Sequence, residues 1–139
     1  MMRTRLLSHI SLLLVIAAVC AGAAPAASSD VRGTWSGSFH SDHSDMDPFT
    51  MTVVITPDSN GHLVGVSDLV SECVRGVKLQ VTVNGANVVL AGSDAEGDSI
   101  TLRGTVDTSG TLLKLRYIVN GSASGKCETD QGSGTLGKR

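Results

Sequence analysis

The densest group of side chains that could do chemistry lies in residues 40–47. It contains two histidines and three aspartates, namely His40, Asp42, His43, Asp45 and Asp47. Imidazole and carboxylate groups together can bind a divalent transition metal. Their spacing, however, matches neither zinc sites nor calcium loops. The five residues are therefore candidate metal ligands, and a solvated surface loop is the alternative that their spacing favours.

Three aromatic side chains could line a site for a small apolar ligand. Trp35 and Phe39 share one face of a strand, and Tyr117 is expected to face inward from a later strand. Small-molecule sites are mostly apolar with few polar groups. The favoured alternative is that these rings only fill the core, since an eight-stranded barrel is just wide enough for its own side chains. Arg103 or Arg116 could stack on Trp35 in a structural cation–π contact.

The sequence offers no recognisable catalytic constellation. Ser–His–Asp chemistry needs convergent residues, and no spacing indicates them. No Gly-rich phosphate loop precedes a helix. The acidic segment 94–98 could hold calcium weakly, but it lacks the full ligand run. We therefore expect a non-enzymatic protein without a cofactor.

The elements that position these residues are predicted to be β-strands. Apolar and polar residues alternate over most of the chain, so that Phe49, Met51, Val53 and Ile55, for example, share one face. A period of two indicates half-buried strands with one solvated face. No segment has a helical stripe of useful length, and the fold class is therefore all-β. About eight strands are predicted, at 32–40, 48–56, 62–70, 76–83, 86–92, 99–106, 111–119 and 131–137.

Short turns between these runs predict a meander of neighbouring antiparallel strands. Asn84-Gly85 is the strongest hairpin signal, because a type I′ turn needs positive φ at both central positions. Eight such strands can close into an up-and-down barrel, which removes exposed edges. A two-sheet β-sandwich is the alternative. Four glycines within strands favour closure, since such positions mark bends or close backbone approach. They are Gly37, Gly65, Gly104 and Gly134.

Residues 1–26 have the layout of a secretory signal peptide. A positively charged start, an apolar run and a stretch of small residues follow one another. Cleavage after Ala23 or after Ala26 fits this layout, and the second position leaves one barrel domain over 27–139. An uncleaved anchor is disfavoured, because a spanning helix needs about 20 apolar residues.

The cysteines and the charge point to an oxidising compartment. Cys73 and Cys127 remain after cleavage, and an even count in a secreted protein predicts a disulfide. Lipidation at Cys20 is disfavoured, because Val19 stands where a lipoprotein has a small residue. We expect a secreted or periplasmic monomer with no membrane span after cleavage. The Lys and Arg residues are scattered and the net charge is −2, so nothing indicates nucleic acid.

The motif Gly33-Thr34-Trp35 resembles the start of lipocalin-like and avidin-like barrels, collectively called calycin-like. The rest of the chain is similar to small bacterial secreted barrels of uncharacterised function. They share T-x-T and G-T-V segments and a late Cys followed by G-S-G-T-L, here Cys127 and residues 132–136. The resemblance implies a barrel but no particular ligand. The helix after the last lipocalin strand and the biotin-enclosing tryptophans of avidins are missing, which disfavours biotin.

Three hypotheses for function follow. The resemblance and the shortage of catalytic groups favour a non-enzymatic binding or accessory protein of the cell envelope, which holds an unknown small ligand or presents loops to an envelope protein. The second hypothesis is a periplasmic inhibitor of a protease or lysozyme, acting as a protein–protein interaction module. The third is an enzyme with a metal-dependent site in the loop 40–47.

Overall fold

The computed structural model describes residues 27–69 and 73–139, and these residues form an all-β protein. The predicted signal segment 1–26, with Cys20 and both cleavage positions, Ala23 and Ala26, lies outside the described residues. Among the residues described, no helix is long and apolar enough to cross a membrane.

Eight strands alternate buried and exposed residues, as their period of two predicts. In β7, for example, Leu113, Leu115, Tyr117 and Val119 are buried, and the residues between them are exposed. Every predicted strand is found, with its ends shifted by two residues at most. The strands are β1 (Gly33–Ser41), β2 (Phe49–Pro57), β3 (Leu63–Leu69), β4 (Lys78–Asn84), β5 (Asn87–Ser93), β6 (Ser99–Val106), β7 (Leu112–Asn120) and β8 (Asp130–Lys138).

The strands close into an up-and-down barrel. Each strand pairs antiparallel with the next along the chain, and β1 also pairs antiparallel with β8. The barrel prediction is confirmed, and the sandwich alternative is wrong. Closure removes free edges and gives every strand one face toward the interior. The interior-facing residues form one continuous hydrophobic cluster.

Glycines allow neighbouring strands to approach closely inside this barrel. A Cβ atom on Gly104 would overlap the carbonyl oxygen of Lys114 across the β6–β7 pair. A Cβ atom on Gly134 would overlap the carbonyl oxygen of Ser38 and the ring of Phe39. Larger residues at these positions would force the strands apart, so the predicted role of these two glycines is confirmed.

The hairpin between β4 and β5 forms where it is predicted, but with a different turn. Asn84 pairs with Asn87, so the two-residue loop is Gly85-Ala86. Of these two, Gly85 alone has a positive φ, at 60°. One positive φ at the first loop position is the pattern of a type II′ turn. The type I′ prediction centred on Asn84-Gly85 is therefore wrong by one residue.

The meander gives the barrel two unlike ends. The end that we call the turn end carries three connections of five residues or fewer, together with residues 27–32 and the end of β8. Its connections are 58–62, 85–86 and 107–111. The opposite end, which we call the loop end, carries the other four connections. These are 42–48, the connection from β3 to β4, 94–98 and 121–129.

The turn end is sealed by the segment that precedes β1. Val31 is fully buried, and its carbonyl oxygen accepts a 2.7 Å hydrogen bond from Nε1 of buried Trp35. The backbone N–H of Ser29 donates to the carbonyl oxygen of Gly85, at 3.0 Å, which joins this segment to the β4–β5 turn. The indole therefore fills the core here with its one polar atom satisfied.

A lysine, not an arginine, stands over this indole. Nζ of Lys138 lies 5.3 Å from the centre of the Trp35 ring. Arg103 and Arg116 are exposed and pair with each other on the outer face of β6 and β7. Because residues at these positions point away from the interior, neither arginine reaches the buried ring. The prediction that one of them stacks on Trp35 is wrong.

Candidate functional site

Three aromatic rings pack together just inside the loop end. Phe39 of β1 and Phe49 of β2 stack at 5.4 Å between ring centres. Tyr117 of β7 meets both rings edge-on, at 5.7 Å from Phe39 and 5.1 Å from Phe49. These offset and edge-to-face arrangements are the favourable ones for aromatic pairs. The cluster forms the floor of the loop end.

A buried carboxylate sits beside this floor. Asp130, the first residue of β8, is 8% exposed. Its Oδ2 accepts a 2.5 Å hydrogen bond from the hydroxyl of Tyr117. Its Oδ1 accepts from Oγ of Ser41 at 2.6 Å and lies 3.1 Å from Nδ1 of His43. Both oxygens are therefore satisfied, as a buried charge requires.

The hydrogen bonds also settle where the proton resides. Burial by itself would raise the pKa of Asp130, but the hydrogen bonds from Ser41, Tyr117 and His43 together hold that pKa below its ordinary value. Burial raises the pKa of the Tyr117 hydroxyl, and its hydrogen bond to Asp130 raises it further. Around neutral pH the negative charge stays on Asp130 and the proton stays on Tyr117.

The loops around this floor are tied to one another. A disulfide joins Cys73, after β3, to Cys127, before β8, as predicted. A cross-link between residues 54 apart in sequence stabilises by about 4 kcal/mol in the chain-entropy model. The buried carboxylate of Asp98 accepts hydrogen bonds from the backbone N–H groups of Ser122, Lys126 and Cys127, at 2.6, 2.7 and 2.9 Å. Three of the four loop-end connections are thereby held in place.

Hydrogen bonding dominates the electrostatics of Asp98. The backbone hydrogen bond from Ser122 is the largest influence and lowers the pKa of this carboxyl. Burial opposes it, and the bonds from Cys127 and Lys126 lower the pKa further. A carboxylate that accepts several backbone N–H bonds is stabilised in its charged form. Asp98 therefore organises the 121–129 loop and is not an available ligand group.

A cavity of about 270 Å³ opens among these loops. Apolar and aromatic side chains make up most of its wall, and three carboxylates join them. The lining residues are Met46, Asp47, Phe49, Cys73, Val74, Ile100, Tyr117, Val119, Glu128 and Asp130. No lysine, arginine or histidine belongs to this described lining, so the cavity combines an apolar interior with an acidic rim.

One wall of the cavity holds a strained residue. Val74 has a φ of 45° and is buried. A β-branched side chain disfavours this left-handed conformation, which costs about 1–3 kcal/mol. The preceding residue, Cys73, is cross-linked by the disulfide. Such strain concentrates at ligand sites, which makes this wall of functional interest.

Ser41, His43 and Asp130 come together, although no spacing in the sequence indicates it. They do not form a hydrolytic triad, in which the nucleophile faces Nε2 of the histidine and the aspartate faces Nδ1. Here Oγ of Ser41 donates to Asp130 and lies 3.4 Å from the same Nδ1 atom of His43. The serine proton is thus directed to the aspartate, and the cluster is a hydrogen-bonded support for Tyr117.

The structure separates the three aromatic residues predicted to line a ligand site. Tyr117 lines the cavity, and Phe39 supports it from below. Trp35 lies at the turn end, where it contacts Val31 and Lys138, and does not line the cavity. Of the three predicted residues, Tyr117 alone lines the cavity, and Phe49 is the second aromatic residue in its lining.

The five candidate metal ligands point in different directions. His40 lies on the outer face of β1, and Asp42 is paired with Arg116, at 2.5 Å. His43 faces Asp130, Asp45 is exposed, and only Asp47 of the five lines the cavity. Within residues 27–69 and 73–139, no group of three or more His, Cys, Asp or Glu side chains could hold a metal ion.

Sequence reasoning missed Phe49, Glu128 and Asp130 as cavity residues. The position of Asp130 within β8 is the signal that was missed. Every second residue of a strand faces the same side, and counting back in twos from buried Leu136 gives Asp130 as an inward-facing residue. The prediction began the last strand one residue later and so left Asp130 in a loop. An aspartate on the apolar face of a strand needs hydrogen-bond donors, which is itself a marker of a site.

Comparison of the chain with family models, with curated proteins and with solved structures gives no match. The barrel agrees with the shape expected from the calycin resemblance, but the shape alone does not identify that family.

Proposed function

We propose that this protein is a secreted or periplasmic, non-enzymatic binding protein that holds a small amphipathic cation in the loop-end cavity. The ligand has an apolar body and a protonated amine or quaternary ammonium head. The observation that carries the proposal is the cavity of about 270 Å³, with its aromatic and aliphatic wall and three carboxylates.

The apolar part of the ligand is supported by the walls. Ile100 and Val119 bring aliphatic surface, and the rings of Phe49 and Tyr117 bring aromatic surface. Burial of apolar area stabilises a complex by about 25 cal/mol per Å² before the costs of association. The cavity lies just below the usual range of about 300–1,000 Å³ for small-molecule sites, which favours a short alkyl or single-ring body.

The charge of the ligand is supported by the carboxylates. Asp47 and Glu128 lie exposed at the rim, and Asp130 lies deeper with its charge maintained by hydrogen bonds. Aromatic faces also attract a cation, particularly where water is excluded. An anionic head group would meet three like charges and no cation in this lining. The site therefore selects a positive head.

The disulfide supports the proposed compartment. Cys73 and Cys127 are joined, and such bonds persist in extracellular and periplasmic spaces. Signal cleavage near Ala26 would deliver the barrel there, in agreement with the layout of residues 1–26.

The test compares three ligands with the same six-carbon chain, namely hexylamine, hexanol and hexanoate. Binding to the purified disulfide-bonded protein is followed by ligand-detected NMR and calorimetry at low salt. Hexylamine is expected to bind roughly tenfold more tightly than hexanol, as a few partly exposed charge contacts would give. Hexanoate is expected to bind most weakly.

Two variants and a matched control sharpen this test. Val119→Phe should fill the cavity and abolish binding of all three ligands. Glu128→Gln should reduce the amine preference and leave hexanol unchanged. Asp45→Asn is the control, since Asp45 is in the same rim loop as Asp47 but does not line the cavity. Binding of hexylamine that survives Val119→Phe, or equal affinity for hexanoate, would contradict the proposal.

A further inference from the structure

A second surface, on the outside of the barrel, has the opposite charge to the cavity. Outward-facing side chains of β6, β7, β8 and β1 form two adjacent rows that cross the four strands, and we call them the basic face. The first row is Arg103, Arg116, Ser133 and His40. The second row is Thr105, Lys114, Thr135 and Ser38. Neighbouring positions in a row are one strand spacing apart, about 4.8 Å.

The two rows of this face contain no acidic residue, although Asp42 of the loop after β1 reaches Arg116. Strands β1, β5, β6 and β7 contain no aspartate or glutamate, and the one acid of β8, Asp130, is buried. The whole chain has a net charge of −2, so this face differs from the protein as a whole. Arg139 adds a further cation at its edge, where its side chain donates to Ser36 of β1. The segregation of charge predicts an anionic partner.

The positive charges of the two arginines on this face repel each other, and only one of the two is neutralised by a carboxylate. Arg103 pairs directly across strands with Arg116, and like charges in that position destabilise a sheet. Asp42 neutralises Arg116. Among the described residues, no carboxylate comes within ion-pair distance of Arg103 or Lys114. A bound anion would relieve the repulsion.

The shape of the face restricts the kind of partner. A groove runs between the rows over Gly104 and Gly134, where the strands approach closely. Within the described residues each strand pairs with both of its neighbours, so no strand offers a whole free edge to an extended peptide. The Trp, Tyr and two Phe residues all belong to the hydrophobic cluster, so none of these four rings is available on this face for stacking nucleic-acid bases. A partner on this face would therefore be held by contacts to charged groups and hydroxyl groups.

We infer that the basic face binds an anionic polysaccharide across strands β6 to β1. Arginine matches carboxylate and sulfate groups through paired N–H donors. Serine and threonine hydroxyls beside them can donate to and accept from sugar hydroxyls. The four hydroxyl-bearing residues are Ser38, Thr105, Ser133 and Thr135. This inference is independent of the loop-end ligand, since the two surfaces share no lining residue.

The test measures retention of the disulfide-bonded protein on immobilised heparin and on immobilised polygalacturonate. Dextran is the neutral control, and poly(U) is the nucleic-acid control. Retention on one or both anionic polysaccharides is expected, with elution by moderate salt, because exposed charge contacts are screened. Arg103→Gln/Lys114→Gln is expected to weaken the affinity roughly tenfold, on the order expected for two exposed charge contacts.

The matched control removes the same charge elsewhere. Arg32→Gln/Lys78→Gln changes two exposed cations outside the basic face and should keep the original affinity. Thermal melting shows whether each variant is folded, and a single Arg103→Lys variant, which keeps the charge, provides a second comparison. Failure of the parent protein to bind either polysaccharide would overturn the inference. So would an equal loss in the control, or equally tight binding to poly(U).

Discussion

The two ends of the barrel are closed in different ways. At the turn end, Trp35 and Val31 make a dry plug in which one indole N–H has one acceptor. At the loop end, the buried charge of Asp130 lies beside the aromatic floor, and the disulfide ties two of the surrounding connections together. Plug packing maximises stability. A buried charge beside an open cavity is costly to build, and this cost supports the proposal that the loop end is a binding site.

The turn end and the loop end also differ in the charge of their buried polar groups. The polar group of Trp35 is neutral, and its partner is backbone from the adjoining segment. Asp130 has hydrogen-bond partners on β1, on the loop after it and on β7. Its negative charge is therefore fully stabilised only when these three elements are in place. Changes at the turn end should therefore affect stability alone. Changes at the loop end should affect stability less and binding more.

The largest expected effect is at the turn end. Trp35→Ala should lower the free energy of unfolding by about 3–5 kcal/mol, because it removes the largest fully buried side chain and leaves a cavity. Urea unfolding followed by circular dichroism measures this loss. Ser38→Ala, exposed on the same strand, is the control and should be near neutral. A cost below about 1 kcal/mol would show that the plug is not tightly packed.

A smaller effect is expected from the matched change at the loop end. Tyr117→Phe keeps the ring packing but removes the hydroxyl that donates to Asp130. The buried carboxylate would lose one of its donors, at a cost of about 2 kcal/mol. The same unfolding measurement applies, and hexylamine affinity is measured in parallel. If neither the free energy of unfolding nor the hexylamine affinity changed, the hydroxyl of Tyr117 would have no supporting role.

The smallest energetic effect is a pH dependence at the same residue. Burial and Asp130 raise the pKa of Tyr117 above its ordinary value of about 10. The neutral form is favoured in the folded state, so its contribution is fully present below pH 10 and is lost as the pH rises further. Tyr117 is the only tyrosine, so tyrosinate absorbance near 295 nm reports it alone. Little should form at pH 10.5 until urea unfolds the protein, whereas half-ionisation of the folded protein near pH 10 would contradict the burial argument.

The fold was predictable because it depends on local patterns. Alternation in segments such as 112–120 specifies the inward face, and turn residues such as Gly85 and Gly110 mark the reversals. The hairpin turn at Gly85 shows the limit, because the exact loop register depends on how β4 and β5 pair, which a single strand does not specify.

The candidate site was predictable only in part. Tyr117 could be assigned inward by its period, and Cys73 and Cys127 by their number. The convergence of Ser41, His43 and Asp130 depends on barrel closure, which brings β1 beside β8 at the far ends of the domain. The same closure assembles the basic face from residues that are scattered singly along the chain. Long-range pairing, not local propensity, produces both surfaces.

An NMR titration shows most directly where the cation binds on the barrel. Hexylamine is titrated into ¹⁵N-labelled protein, and chemical shifts of backbone amides are followed at both ends. Saturable shifts should appear at the loop end, around Asp47, Ile100, Val119 and Glu128, while Ser29, Gly85 and Trp35 at the turn end should not change. Shifts at the turn end, or the absence of saturable shifts at the loop end, would contradict binding of the amine in the loop-end cavity.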